Sequence, residues 1–546
     1  MSRRVESADV LVRGGPVHTM DGARRVADYV AIADGVVAAA GRATEIDDWV
    51  GPRTRVIDAA GGVVLPAFQD AHIHPIGAGL NQLQCDLHDA SGAGEYLDLI
   101  AAYARAHPER DWIVGGGWAM DSFAGGTPSA GALDEIVSDR PVFLMNRDWH
   151  SAWVNSRALE VAGIDRDTPD RDGGRIERDE RGGPSGTLHE HAADLVDRLA
   201  PRPTAEELRQ GLVLAQQQLL ALGITGWQDA SVSEPELDTY VTLAEQGMLT
   251  ARVTLSLLWD RDKDESQLDD LAEHRERGTF GKLSASTVKI FQDGVVETFT
   301  AAMLLPYLDA SGAPTGNSGM SMIEPEALNR YVTILDANGF QVHFHAIGDR
   351  AVRECLDAVE AARDRNGTRD ARHHIAHLQV VHPDDIARFK TLEVVANCQP
   401  LWACMEPQMS DLTIPFLGPE RSQWQYPFGS LIRAGATVAF GSDWSVSSPN
   451  PLLEMEVAVT RVDPAARAAD PFIPSERVSA GDAVAAFTNG SSFVNNSDID
   501  VGSIEPGKAA DVVVLDRNIF EPGAGPIGDA EVLFTLAGGD VVYERA

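Results

Sequence analysis

A chain of 546 residues is too long for one ordinary domain and long enough to enclose a large core. Its 82 acidic residues against 45 basic ones give a formal charge of −37, a field that repels phosphate backbones and argues against nucleic acid as a partner. Hydrophobic residues make up 44%, as in soluble globular proteins, and no apolar run reaches the roughly 20 residues of a membrane helix, so no membrane partner is expected.

The chain begins Met1-Ser2-Arg3-Arg4-Val5-Glu6. No apolar stretch follows the two arginines, so no secretory signal is expected and the cytoplasm is the expected location. Short strands follow at Asp9–Arg13, Tyr29–Ala33, Gly35–Ala39 and Arg55–Asp58, rich in β-branched residues and bounded by Gly or Asp. Candidate barrel strands then run through the middle of the chain. They are Gly62–Leu65, Trp112–Gly115, Val142–Met145, Gly226–Asp229, Val253–Leu257, Thr287–Phe291, Phe340–Phe344, His374–His377, Val394–Asn397 and Thr437–Phe440. Helical periodicity separates several of them, as at Glu206 to Leu222 and Pro325 to Asn338. Ten candidates exceed the eight of a (β/α)₈ barrel, so an insertion is expected at about 85–225. The chain ends in strands again, at Val512–Leu515, Val532–Thr535 and Val541–Tyr543. The reading is an α/β fold: a TIM-like barrel over 66–498, with a small β-sandwich built from 1–65 and 499–546. Cys85, Cys355, Cys398 and Cys404 form no CxxC pair and read as reduced core or pocket-wall thiols.

Chemistry concentrates at strand ends. His72 and His74 follow an apolar strand, and residues i and i+2 of a strand point to one side, so both imidazoles can reach one ion. Alone, the pair also fits two surface or pocket histidines. Three further clusters change the balance: His343-Phe-His345, His373-His-Ile-Ala-His377 and Gly441-Ser-Asp443. Each sets His or Asp at the C-terminal end of an apolar strand, where barrel enzymes carry their chemistry. Lys289 lies inside the apolar Thr287–Phe291. Burying a lysine is unfavourable unless it is paired or modified. Two readings stand: an ion pair with Asp293, or a carbamate formed with CO₂ that bridges two metals.

The order HxH, strand lysine, His, His, Asp resembles the amidohydrolase superfamily. The segments Val288-Lys-Ile-Phe-Gln-Asp-Gly294, His345-Ala-Ile-Gly-Asp-Arg-Ala351 and Asp148-Trp-His-Ser-Ala-Trp-Val-Asn-Ser-Arg-Ala-Leu159 are similar to its family-3 branch, which includes N-substituted formamide deformylases. The resemblance spans the whole chain, and Ile504–Leu515 matches the family's composite β-domain. It implies metal ligation by His72, His74, His345, His377 and Asp443, with Lys289 as the bridge and one or two zinc ions as cofactor. His343 rivals His345, but the His-Ala-Ile-Gly-Asp context favours His345. Asp443, Lys289 and His150 are the implied catalytic residues, and Trp118, Asp148 and His150 the implied substrate contacts. Asn155, by contrast, equally fits a cap. Trp402 and Met405 fit either an apolar pocket wall or plain core. Pro66-Ala67, Asp70-Ala71 and Ala376 depart from the family's usual residues but remove no ligand.

The expected reaction is hydrolysis of an amide or N-substituted formamide C–N bond by metal-activated water, with Asp443 shuttling the proton. A deaminase or cyclic-amide hydrolase of the same superfamily is the first alternative, and a non-catalytic scaffold the second. The expected partners are a small-molecule substrate and a second copy of the chain in a homodimer.

Overall fold

The computed structural model describes residues 7–171 and 173–546. The reading of Met1–Glu6 as no leader lies outside them. Eight strands, each parallel to the next in chain order, form the central barrel. They are β1 Phe68–Ile73, β2 Ile224–Val232, β3 Arg252–Leu258, β4 Leu283–Phe291, β5 Gln341–Ala346, β6 His374–His377, β7 Val395–Cys398 and β8 Val438–Phe440. The ladder runs from β1 through β2 to β8. Just past the strand ends, the Asp443 N–H donates to the His72 carbonyl at 2.7 Å and the His74 N–H to the Trp444 carbonyl at 2.8 Å. These two bonds draw the last strand onto the first.

Seven of these strands coincide with sequence candidates, and the first does not. Val63–Pro66 lies antiparallel to Val512–Leu515 in the terminal sheet rather than in the barrel. The chain changes sheets at Ala67, whose N–H goes to the Asp511 carbonyl, while that of Phe68 goes to Gly223. β1 escaped notice because it reads Phe-Gln-Asp-Ala-His-Ile. Its polar side chains bond to neighbouring elements: Gln69 Nε2 donates to Thr225 Oγ1 at 3.1 Å, and the Asp70 carboxylate accepts the Ser442 N–H at 3.2 Å. A strand paid in hydrogen bonds shows no apolar run. The candidates Trp112–Gly115 and Val142–Met145 also lie outside the barrel. Ile113–Trp118 and Val142–Asn146 belong to a separate six-stranded sheet that begins at Cys85–Asp86 and includes Pro184–Glu190.

The strands of both termini join one eight-stranded sheet. Val10, Val12, Val30 and Ile32 pack on one face with Val512, Val514 and Leu536. Leu11, Tyr29 and Ala31 cover the other. Val63, Leu65, Val513 and Leu515 join the barrel's own core and anchor the sheet to it. Gly538 and Gly539, with φ of +57° and +82°, make the tight turn between Val532–Ala537 and Asp540–Glu544.

The helix Ala205–Ala221 starts with a reciprocal cap: Thr204 Oγ1 accepts the Glu207 N–H, and Glu207 Oε2 accepts that of Thr204. The helix Pro325–Ala337 buries Leu328, Tyr331, Val332 and Leu335, the i, i+3, i+4, i+7 stripe that turns it onto the barrel. All four cysteines are buried and free. Among the described residues, no helix is long and apolar enough to cross a membrane.

Candidate metal centre and active site

The sequence-predicted ligands meet at the C-terminal mouth of the barrel. His72 is in the last two residues of β1 and His74 follows it, His345 is the next-to-last residue of β5, and His377 ends β6. Asp443 stands three residues past β8. Parallel register explains the convergence: Phe291 pairs with His345, Ala346 with His377, and His377 with Cys398. Asp443 is the hub. Its Oδ1 lies 3.1 Å from His74 Nε2 and 3.3 Å from His72 Nε2, and its Oδ2 lies 3.8 Å from His377 Nδ1.

Ligand atoms of His72, His377 and Asp443 lie within 4.8 Å of one another. The His345 ring is stacked edge-on to that of His377 at 4.5 Å. Four buried polar atoms here make no hydrogen bond: Asp443 Oδ1, both His377 nitrogens and His345 Nδ1. Buried polar atoms rarely go without a hydrogen bond, so this cluster of donor atoms, held only by ion-pair contacts, fits a cation. The donor set, imidazoles with a carboxylate, suits zinc and related divalent ions.

Electrostatics favour the same use. Burial, then the nearby Lys289, holds the His72 imidazole well below its ordinary value. Burial and then neighbouring histidines do the same for His345 and His377. Neutral imidazoles have the free lone pair that a metal requires. Burial pushes the Asp443 carboxyl up, but the His74 imidazole 3.1 Å away and the nearby His377 outweigh that and hold it below the usual range.

A second ring of residues fixes the first. His343 lies one strand position below His345, and its Nε2 meets His72 Nδ1 at 2.9 Å, while its own Nδ1 meets Ser256 Oγ at 2.9 Å. It therefore orients His72 and leaves the His72 Nε2 facing Asp443. His377 and Asp443 both adopt left-handed backbone, with φ of +77° and +54°. Such strain of about 1–3 kcal/mol persists only where the surroundings enforce it. The His377 N–H is held by Gln399 Oε1 at 2.8 Å, and that of Asp443 by the His72 carbonyl.

Lys289 is 1% exposed and belongs to the same cavity lining. Its ion pair with Asp293, one of the two sequence readings, does not form. Asp293 is committed to the backbone N–H groups of Ala302, Ile347 and Gly348, at 2.9–3.0 Å. It also stands 3.2 Å from His345 Nδ1. Among the described residues Lys289 has no carboxylate within ion-pair reach, and its ammonium sits 4.8 Å from the Phe291 ring centroid. Burial pushes the amine down to about 7, against the opposing pull of Asp443 and Asp229.

The six-stranded insert adds one wall. His150 Nδ1 meets Glu190 Oε1 at 3.0 Å, and the His150 ring centroid is 5.5 Å from that of His345. Burial opposes the charged ring, but Glu190 overrides it and raises His150 to about 9. Thr300 Oγ1 donates to Glu190 at 2.9 Å. Asp148 accepts the His150 N–H at 3.1 Å and so sets the loop that carries it. Trp118 is fully buried at the back of the wall, with Nε1 donating to the Leu144 carbonyl at 2.9 Å. Asn155 is a cap: it accepts the Ala158 N–H at the start of the helix Ser156–Ala162. Trp402 lies parallel to the His377 ring at 5.4 Å and forms pocket wall. Met405 is on a different surface pocket.

Several cavity residues were not singled out from the sequence: Glu190, Asp229, Glu297, Glu406 and Trp259. Two had a readable signal. Asp229 is a carboxylate at the end of a recognised barrel strand. Glu190 ends a strand inside His189-Glu190-His191.

The amidohydrolase family profile matches residues 55–543. The chain is 33% identical to protein LONG AFTER FAR-RED 3 of Arabidopsis thaliana, over 98% of this chain and 92% of that protein. It is 28% identical to N-substituted formamide deformylase of Arthrobacter pascens, over 98% of both. Among solved structures it resembles an uncharacterized metal-dependent hydrolase from Pyrococcus horikoshii, with 26% identity, a TM-score of 0.73 and coverage of 95% of this chain and 99% of that one.

Proposed function

The chain belongs to the amidohydrolase family, and from that premise we propose that it is a zinc-dependent hydrolase that cleaves the C–N bond of an N-substituted amide or formamide. The observation that carries the reading is the set of buried His377, His345 and Asp443 atoms that make no hydrogen bond, gathered beside His72. The likeness to the Arthrobacter deformylase supports the choice of substrate class.

His72, His74, His345, His377 and Asp443 would hold the metal, with Lys289 as a further ligand once carbamylated. A divalent ion there supplies Lewis acidity toward a carbonyl and brings the pKa of a water toward about 7. The rest falls to the protein. Asp443, kept ionised by His74 and His377, takes the proton of the attacking water and returns it to the leaving nitrogen. Amide nitrogen leaves poorly until it is protonated, so one carboxylate serves both steps. His150, kept cationic by Glu190, presents an N–H to the substrate's developing negative charge. Lys289, unpaired and with its amine near neutrality, is suited to take up CO₂ and become an anionic ligand.

The terminal sheet is proposed to form a β-sandwich unit from 1–65 and 499–546, apart from the barrel at 66–498 and its insertion at about 85–225. The proposed setting is a cytoplasmic homodimer acting on a small molecule. The test is a substrate panel of N-substituted formamides, simple amides, cyclic ureas and aminated heterocycles, assayed for amine, carboxylate and ammonia. Release of amine with carboxylate is expected. Ammonia released from the aminated heterocycles without any carboxylate would move the activity to deamination, and a metal-loaded protein inert across the panel would remove the hydrolase reading.

A further inference from the structure

The cavity above the candidate metal centre encloses about 1160 Å³, ample for a small organic substrate. Its lining is sharply unbalanced in charge. Among the described residues, fourteen carboxylate side chains line it against three lysine or arginine ones, Arg147, Arg261 and Lys289, and the His150 ring that Glu190 holds. Two of the cations are already engaged: Arg147 donates to the His88 carbonyl at 3.0 Å and Arg261 to Met322 Sδ at 3.0 Å.

The imbalance does not end with the metal ligands. Glu297 and Glu406 stand outside the His72, His377, Asp443 group, and the cations near them, His150 and Arg147, do not offset their burial. Glu406 is half-buried, and among the described residues its side chain makes no hydrogen bond or ion pair. Burial, then Asp121 and Asp463, pushes its carboxyl up to about 7, with Glu297 adding to the rise. Glu297 has a single side-chain hydrogen bond, from Thr413 Oγ1 at 2.6 Å, and burial likewise pushes its carboxyl up. Like charges gathered in a low-dielectric recess repel one another unless a cation joins them.

Two observations independent of the carboxylates point to a bound ligand, the first to its charge and the second to an oxygen acceptor. Trp149, Trp402, Trp444 and Tyr426 line the cavity, and aromatic faces attract cations through their quadrupole. Trp259, another lining residue, is 3% exposed and its indole N–H has no acceptor among the described residues. A bound molecule with a carbonyl or similar oxygen would satisfy it.

We propose that the substrate is a cationic amide, one whose N-substituent or acyl group carries an ammonium, and that Glu406 and Glu297 with the aromatic wall recognise that charge. The proposal rests on the cavity being the substrate site of the hydrolase described above, and narrows its substrate class. A recess lined by one sign of charge also concentrates ligands of the other sign before they bind.

The test reads binding, not turnover, so it stands apart from the hydrolysis assay. The full-length, metal-loaded protein is titrated calorimetrically with choline and with its uncharged carbon isostere, 3,3-dimethylbutan-1-ol. Choline is expected to bind at least tenfold more tightly, with the gap shrinking as salt is raised. The double variant Glu297→Gln, Glu406→Gln is expected to bring the two within about twofold of each other. Equal affinity in the unaltered protein, or no binding of either probe, overturns the proposal. So does a double variant that is folded by circular dichroism and keeps the full preference.

Discussion

The backbone N–H of Asp443 donates to the carbonyl of His72 at 2.7 Å, while the Asp443 carboxylate lies 3.3 Å from the His72 ring. Barrel closure and assembly of the candidate metal centre are therefore one contact. The close approach depends on Gly441, where a Cβ would lie 2.4 Å from the His72 backbone nitrogen. Gly441→Ala is expected to lower stability by about 1–3 kcal/mol through overpacking and to reduce metal content with it. Melting curves and metal analysis check this. A variant matching the parent in both would show that closure does not set the site.

Metal removal gives the most direct outcome. Chelation is expected to abolish activity, and added zinc to restore it, with manganese or cobalt as partial substitutes. The freed His377 and His345 nitrogens should also raise the sensitivity of the melting temperature to added zinc, since binding to the folded state stabilises it. Full activity of metal-stripped protein would contradict the reading.

Lys289→Ala separates a metal ligand from a buried packing residue. As a carbamate, Lys289 is expected to be needed for both metal content and activity, and short-chain carboxylic acids should restore part of each. If Lys289 is only packing against Phe291, the variant keeps its metal and no acid has an effect.

Much of this was legible in the sequence, for an identifiable reason. A site made where parallel strands end leaves its ligands directly after apolar runs, so His345, His377 and Asp443 could be read off β5, β6 and the turn after β8. The layer that supports them was not legible. His343 bonding His72 joins strands far apart in the chain, and Asp293 is committed to backbone N–H groups of two loops that only the folded barrel brings together. The misplaced first strand failed for the opposite reason to the others. Gln69, Asp70 and His72 spend their polarity on bonds to other elements, so periodicity has nothing apolar to detect.

His150 predicts a pH dependence. Glu190 raises it to about 9, above its ordinary value of 6.5. The pair's contribution to stability is fully present below about pH 6.5 and is lost as pH rises through about 9. If the charged ring serves the reaction, kcat falls over the same upper range. His150→Asn is expected to remove that alkaline limb and lower kcat, while Glu190→Gln moves it to lower pH. An alkaline limb unchanged in both variants would assign it to another group.

Asp443→Asn tests the proton shuttle itself. An aspartate in a Gly-Ser-Asp turn commonly serves as a cap for the backbone that follows. Here no backbone N–H bonds its carboxylate; Val446 N–H is taken instead by the Asp443 carbonyl. Among the described residues the carboxylate oxygens lie closest to His72, His74 and His377, and Oδ1 makes no hydrogen bond. Asparagine preserves the backbone bond to His72 and the size of the side chain, so folding should survive, and the imidazole ligands still offer a site for metal. It cannot accept a proton. We expect kcat to fall by at least the roughly 10²–10⁴-fold typical of general acid–base catalysis, with melting temperature near that of the parent and metal content reduced but present. Measuring kcat beside metal content separates the two roles of the residue: a loss of rate that excess zinc restores marks Asp443 as a ligand alone, and a loss that persists at full metal occupancy marks it as the shuttle. Near-normal kcat in the folded variant would remove Asp443 from the mechanism.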